Sequence, residues 1–121
     1  MTRFRLARRA QTDLSRILAT SSESWGADAR SRYARLLAGA IRQVAAAPEG
    51  QGTQERSELA PGLRSFHVRH LRRDGPSASV RRPVHVLYYR VIRPELVEIV
   101  RILHERMEPS RHLGATDGGE E

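Results

Sequence analysis

Proton-transferring and anion-binding side chains crowd one short stretch of the sequence, ILHERMEPSRHL, at residues 102–113. It holds His104 and His112, which can exchange protons near neutral pH. It also holds Arg106 and Arg111, whose guanidinium groups can bind a phosphate or a carboxylate. Two chemistries fit these residue types, namely acid–base cleavage of a phosphodiester and non-covalent binding of an anionic partner.

Cleavage of RNA through its own 2′-hydroxyl requires a base, an acid and cations around the phosphate. His104 is the candidate base or acid, although a histidine at the end of a strand more often has a structural role and bonds to backbone. The adjacent tyrosines Tyr88 and Tyr89 face opposite sides of a strand, so at least one of them packs in the core. The candidate phosphate ligands are Arg64, Arg82 and Arg106, and a further arginine of the right type is Arg90.

The five histidines raise a third possibility, a metal site. His67 and His70 lie three residues apart on an extended segment, so they cannot ligate one ion without a bend. The chain has no cysteine, which excludes disulfides and thiolate zinc sites. We therefore expect no metal and no other cofactor. The remaining histidines are His85, His104 and His112.

The charge of the chain indicates an anionic partner, either nucleic acid or an acidic protein. All 21 basic residues are arginine, and against 14 acidic residues they give a net charge of +7. Arginine stays protonated and offers a planar fork of donors, but it is a poor proton acceptor. No helix-turn-helix or base-reading aromatic platform is visible, which argues against sequence-specific DNA reading. The densest cluster comprises Arg69, Arg72, Arg73, Arg81 and Arg82.

At 121 residues the chain is long enough for one domain and too short for two. No stretch approaches the roughly 20 apolar residues of a membrane span. The basic N-terminus becomes amphipathic instead of running into the apolar block of a secretory signal. We expect a cytoplasmic protein.

A short N-terminal strand at residues 3–7 is followed by two helices. The first begins at Arg8, and its helical period leaves Asp13 on the polar side. The stretch SSESWG then breaks the pattern, which places Trp25 in a turn, where it can pin the helices together or contact a partner. A second apolar stripe predicts a helix over residues 27–46, and the short link makes the pair an antiparallel hairpin.

The second half of the chain predicts a polar loop at residues 49–58 and then three strands. Period two marks the first strand near residue 66, and the other two, 84–91 and 95–104, are apolar on both faces and joined by a short hairpin. The order is β-α-α-β-β-β, an α+β fold in which the N-terminal helical hairpin packs on a small, mainly antiparallel sheet.

Two further segments complete the predicted organisation. Between the first two of these strands a long connection carries a turn at residues 74–76. One domain is expected over residues 1–113, followed by an acidic, glycine-rich and disordered tail at 114–121.

This order resembles the ParE-like branch of the RelE/ParE toxin superfamily of bacterial type II toxin–antitoxin systems. The stretches that carry the resemblance, which runs from Arg3 to Leu113, are LAPGLRSFHVRH, RPVHVLYYRV and VEIVRILHERMEPSRHL. It implies a toxin that inhibits DNA gyrase by binding, without a catalytic site, and forms a hetero-oligomer with a ParD-like antitoxin. The antitoxin would wrap an acidic amphipathic C-terminal segment round the toxin. Two alternatives remain open: a ribosome-dependent mRNA interferase of the RelE type, and a binding module that has lost toxicity.

Site residues follow from the resemblance and the charge pattern. Antitoxin binding needs an apolar groove, and the alternative for each of its candidates is plain core packing. The target-binding candidates are Arg69, Arg72, Arg73, Arg81, Arg82, Arg106, Arg111 and His112. The antitoxin-binding candidates are Leu14, Leu18, Trp25, Tyr33 and Leu37.

Overall fold

The computed structural model describes residues 3–72 and 82–113. Arg73, Arg81, the turn predicted at 74–76 and the tail predicted at 114–121 lie outside the described residues. Single 3-10 turns cover Val68–His70 and Pro109–Arg111. The regular elements are β1 (Arg3–Leu6), α1 (Arg8–Trp25), α2 (Ala27–Ala46), β2 (Thr53–Glu55), β3 (Arg64–His67), β4 (His85–Arg93) and β5 (Leu96–His104).

The five strands form one mixed sheet in the order β1-β5-β4-β3-β2. β1 pairs with β5 in parallel, and the other neighbours are antiparallel. The predicted order β-α-α-β-β-β is confirmed, with one strand added. Residues 53–55 were predicted as loop, but they pair with β3 as the edge strand β2. Three polar residues are too few to show a period, so only the pairing itself defines this strand.

The helical hairpin covers one face of the sheet and forms the main core with it. Tyr89 lies in this core, whereas Tyr88 lies in a smaller cluster on the opposite face, so the predicted division of the two tyrosines is confirmed and both are buried. Leu113 is buried in the smaller cluster and anchors the end of the described chain there. In the described residues no helix is long and apolar enough to cross a membrane.

The end of α1 differs from the prediction. The helix continues through SSESW to Trp25, whose side chain is 78% exposed, so Trp25 neither lies in a turn nor pins the two helices together. Serine and glutamate can continue a helix, and Gly26 ends this one. Its φ of 92° and ψ of 174° lie in a region that is essentially restricted to glycine. α2 begins at the next residue, as predicted.

Asp13 was predicted on the polar side of α1, but it is buried against the edge of β5. β1 pairs with β5 only as far as Ile99, and a bulge leaves Val100 without a partner on β4. Beyond the bulge, the Asp13 carboxylate accepts the backbone N–H of Ile102 at 2.9 Å and two guanidinium donors of Arg101 at 2.8 and 3.0 Å. Asp13 therefore provides the hydrogen-bond acceptor for the edge of β5 beyond the point where β1 ends.

Candidate partner-binding groove

A groove of about 920 Å³ lies between the helical hairpin and the end of the sheet where β5 finishes and β4 begins. We call it the partner groove. Its volume is near the upper limit for small-molecule pockets, and it is wide enough for several side chains of a peptide segment. Its lining residues are Asp13, Arg16, Ile17, Thr20, Ser21, Trp25, Ala29, Arg32, Tyr33, Arg82, Val84, His85, Arg101, Ile102, Leu103, His104, Met107 and His112.

Two large apolar side chains stand exposed at the partner groove. Trp25, the last residue of α1, is 78% exposed, and Met107, which follows β5, is 46% exposed. Between them the lining includes the apolar side chains of Ile17, Val84 and Ile102. Large apolar groups beside an apolar groove are typical of a surface that is covered in a complex.

The partner groove is also positively charged. Arg16, Arg32 and Arg82 line it. Asp13 is the one acidic lining residue in the described part of the chain, and Arg101 already binds it at 2.8 Å. The groove therefore has the charge that favours an acidic segment with an apolar face.

Tyr33, His85 and His104 add a polar patch to the groove floor. The Tyr33 hydroxyl lies 2.6 Å from Nδ1 of His85 and accepts the backbone N–H of Val84 at 3.4 Å. Burial raises the pKa of Tyr33 to about 12. Burial, with a smaller effect of the neighbouring His104, lowers the pKa of His85 to about 4. Both groups are therefore neutral near pH 7.

Most of the described target-binding candidates lie in the segments that follow β3 and β5 or precede β4, which meet at this end of the sheet. Nε2 of His67, at the end of β3, lies 2.7 Å from the carboxylate of Glu105, which follows β5, and this contact joins the two strand ends. The His67 contact lowers the pKa of Glu105, and the charge of Arg82 adds to the effect. Arg82 and His112 line the partner groove itself. The other described candidates are the exposed residues Arg69, Arg72, Arg106 and Arg111.

The five antitoxin-binding candidates are not brought together. Trp25 and Tyr33 line the partner groove, whereas Leu14 and Leu18 line a separate depression on the helical hairpin. Leu37 is 1% exposed and lies in the main core, so for this residue the alternative of core packing holds. Arg16, Arg32 and Met107 were missed by the sequence analysis. The signal for the first was its helical spacing to Asp13, Ile17 and Thr20, which lie on the same side of α1.

Of the residues proposed for RNA cleavage, Arg82 and His104 both line the partner groove, and Arg64 lies apart from them. Arg64 pairs with Tyr89, whereas His104 pairs with His85, four residues and roughly 13 Å further along β4. Arg64 donates to the carbonyl of Pro48 and to Thr53, so its guanidinium is engaged away from the histidine. In the described ranges, no group of three or more His, Cys, Asp or Glu side chains is placed to hold a metal ion.

A helical hairpin on a mixed five-stranded sheet, with a basic and apolar groove at one end, defines a small α+β protein whose candidate site is a surface groove. The family model "ParE toxin of type II toxin-antitoxin system, parDE" matches residues 4–109. The chain therefore belongs to the ParE toxin family.

Relatives and a solved structure agree with this assignment. The chain is 38% identical over 112 residues to Toxin ParE1 of Caulobacter vibrioides, covering 92% of this chain and 97% of that protein. Toxin ParE1 of Mycobacterium tuberculosis H37Rv is 31% identical over 112 residues with the same coverage. A chain of a chromosomal ParDE TA system from P. aeruginosa has the same fold, with a TM-score of 0.60 at 20% identity over 86% of this chain and 96% of that one.

Proposed function

We propose that this ParE toxin inhibits DNA gyrase in the cytoplasm by binding it, without a catalytic site, and that a ParD-like antitoxin neutralises it by occupying the partner groove. The observation that carries the antitoxin proposal is the combination in one groove of exposed Trp25 and Met107 with three arginines. An amphipathic helix or strand with acidic residues beside its apolar face matches this surface. The bound pair is then a hetero-oligomer.

A binding mechanism is supported by the state of the candidate catalytic groups His104 and Arg64 and of His85, which lies beside His104. Nδ1 of His104 accepts the backbone N–H of Arg106 at 3.1 Å, which is the structural role open to a histidine at a strand end. His85 is held neutral by burial, and its pKa of about 4 makes it a weak base. Arg64 is bonded elsewhere in the fold.

The surface proposed for gyrase, or for the DNA bound to it, is the basic end of the sheet. Arg106, Arg111 and His112 follow β5, and Arg69 and Arg82 flank them from β3 and β4. These side chains belong to different segments, so a rigid sheet is needed to present them together. Long arginines with exposed heads suit contact with phosphate or carboxylate groups of a large partner.

The test is to express the chain in cells without antitoxin and to measure both DNA breaks and the cleavage of transcripts. We expect gyrase-linked DNA breaks and SOS induction, with intact transcripts. The triple variant Arg106→Ala, Arg111→Ala, His112→Ala should lose most of this effect. Because His112 also lines the partner groove, the double variant Arg106→Ala, Arg111→Ala is the one expected to keep antitoxin binding. Arg42→Ala, an exposed arginine of α2, is the matched control and should remain toxic. Transcripts cut at ribosomes without DNA breaks would favour the interferase, and full toxicity of the triple variant would refute the proposed surface.

A further inference from the structure

The protons of two histidines can be assigned from the groups that donate to them. A backbone N–H can only donate, and that of Arg106 donates to Nδ1 of His104 at 3.1 Å. Neutral His104 therefore carries its hydrogen on Nε2. In the same way the backbone N–H of Arg69 donates to Nδ1 of His67 at 3.1 Å, and Nε2–H of His67 donates to Glu105 at 2.7 Å.

His85 reaches the same tautomer through Tyr33. The pKa values of about 12 and about 4 keep both groups neutral near pH 7, so each has one hydrogen to place. The Tyr33 oxygen already accepts the N–H of Val84. If Nδ1 of His85 also donated to this oxygen, the hydroxyl hydrogen would lose its acceptor in a half-buried site. The arrangement that satisfies every group has Tyr33 donating to Nδ1, which leaves the hydrogen of His85 on Nε2.

Both Nε2–H groups belong to the floor of the partner groove. His85 and His104 are directly opposite each other on β4 and β5, with ring centroids 5.6 Å apart, and both line the groove. Nε2 is at the tip of the imidazole ring, away from the strand that carries it. Across the described residues no hydrogen bond uses either of these two Nε2 atoms, in contrast to that of His67. His85 and His104 therefore offer two Nε2 donors without a partner among the described residues, on neighbouring rings that lie edge to face at an interplanar angle of 80°.

The surroundings of these donors favour an anion. Arg16, Arg32 and Arg82 line the same groove, and Asp13 is already neutralised by Arg101. Hydrogen bonds to an ionised acceptor are about twice as strong as neutral ones, and two adjacent donors match the two oxygens of a carboxylate. An apolar side chain there would leave both donors without a partner once water was expelled.

We propose that His85 and His104 form a carboxylate-binding site on the floor of the partner groove, which receives one aspartate or glutamate side chain of the protein segment bound there. The identity of that segment as antitoxin rests on the proposed function. The carboxylate site itself does not, because it follows from the positions of the donors.

The first experiment tests the site without a protein partner. Imidazole ring resonances of the chain, labelled with ¹⁵N-histidine, are followed by long-range ¹⁵N–¹H correlation during titration with sodium acetate, with sodium chloride of equal ionic strength as reference. We expect Nε2–H patterns for His85 and His104 and a saturable acetate shift at both. The ring of His70, which is exposed and outside the groove, should not move. Tyr33→Phe should loosen the tautomer of His85 and weaken the acetate shift, which a purely structural role in packing would not do.

Three results of this titration would overturn the carboxylate site. They are Nδ1–H patterns, the absence of a saturable acetate shift, and a response to inorganic phosphate alone. A response to acetate with or without phosphate supports it.

The second experiment uses the ParD-like antitoxin of the proposed function. Its acidic residues are replaced one at a time by the matching amide, and the dissociation constants are measured against the wild type, His104→Leu, His104→Gln and the control His70→Leu. At one acidic position the amide should weaken binding to the wild type about tenfold or more. Against His104→Leu, the same amide replacement should weaken binding little further. Against His104→Gln, whose amide can still donate, it should weaken binding by an intermediate amount.

The outcomes separate this inference from the proposed function. If the antitoxin does not bind the chain at all, the proposed function fails, and the acetate titration still decides the carboxylate site. If the antitoxin binds but none of its acidic positions is coupled to His104, the partner's carboxylate is wrongly assigned.

Discussion

The Asp13 carboxylate serves two unlike partners, the cationic side chain of Arg101 and the neutral N–H of Ile102. Its place on α1 cannot be deduced from local sequence, because a helical period treats any aspartate as solvent-facing. What buries it is an arginine 88 residues away and a strand edge that β1 is too short to cover. Neither is visible until the sheet order is known.

Breaking this buried ion pair should destabilise the fold strongly. We expect Asp13→Ala to lower the free energy of unfolding by about 3–5 kcal/mol, because it leaves a guanidinium and a backbone donor without a partner. Asp13→Asn keeps an acceptor for Ile102 and should cost less. Urea unfolding followed by circular dichroism measures both. Glu23→Ala, an exposed position on the same helix, should change stability by less than about 0.5 kcal/mol.

The control for a specific ion pair is the double variant Asp13→Ala, Arg101→Met. If the loss comes from stranded charge, removing the guanidinium as well should restore part of the stability. Losses that simply add in the double variant would contradict this explanation.

Among the elements, those with sustained patterns were predictable. α2 was predicted at the residues it occupies, because its apolar stripe follows helical spacing and the helix ends before Pro48. β4 and β5 were predicted nearly to their ends, because both faces of each strand are apolar over much of its length. The end of α1 was misplaced, since serines suggested a turn although Gly26 alone terminates the helix.

The junction of the two helices leads to a prediction at Gly26. No atom lies within 4 Å of a Cβ built at this position, so a side chain would meet no obstruction and only the backbone would be strained. We expect Gly26→Ala to lower the free energy of unfolding by about 1–3 kcal/mol. Gly26→Asn should be no better, because a ψ of 174° lies outside the left-handed helical region that asparagine tolerates. Thermal and urea unfolding of the two variants measure this, and clear recovery by asparagine would show that the junction adopts another conformation.

For the whole molecule, the sequence predicted the fold class and the basic character, but it did not predict which part of the surface the arginines would surround. The +7 charge is spread over the chain, and folding concentrates several arginines round one groove. Residues from α1, α2, β4 and β5 meet there, so no single stretch of sequence contains the groove. Even Trp25 and Met107, the two exposed apolar side chains beside it, are 82 positions apart in the numbering.

Because of His85, the free energy of unfolding should fall as the pH is lowered from about 6.5 towards about 4. In the unfolded chain His85 binds a proton below about pH 6.5, whereas in the fold its pKa is about 4. Between these values the unfolded state binds more protons, so the free energy of unfolding rises with pH by at most about 1.4 kcal/mol per unit from this group. Urea unfolding at intervals from pH 4.5 to 7 measures the slope. His85→Gln should have a shallower slope, and an unchanged slope would show that other groups determine it.

The parallel pairing of Arg3 with Leu96 has a consequence for how the protein is made. β5 lies between β1 and β4, so a nascent chain that ends before β5 holds two unconnected pieces of sheet. Ile102, Leu103 and His104, which are among the last residues of β5, also line the partner groove. The surface through which we propose the antitoxin to bind is therefore completed only after β5 has been synthesised, and a product released before β5 would lack it.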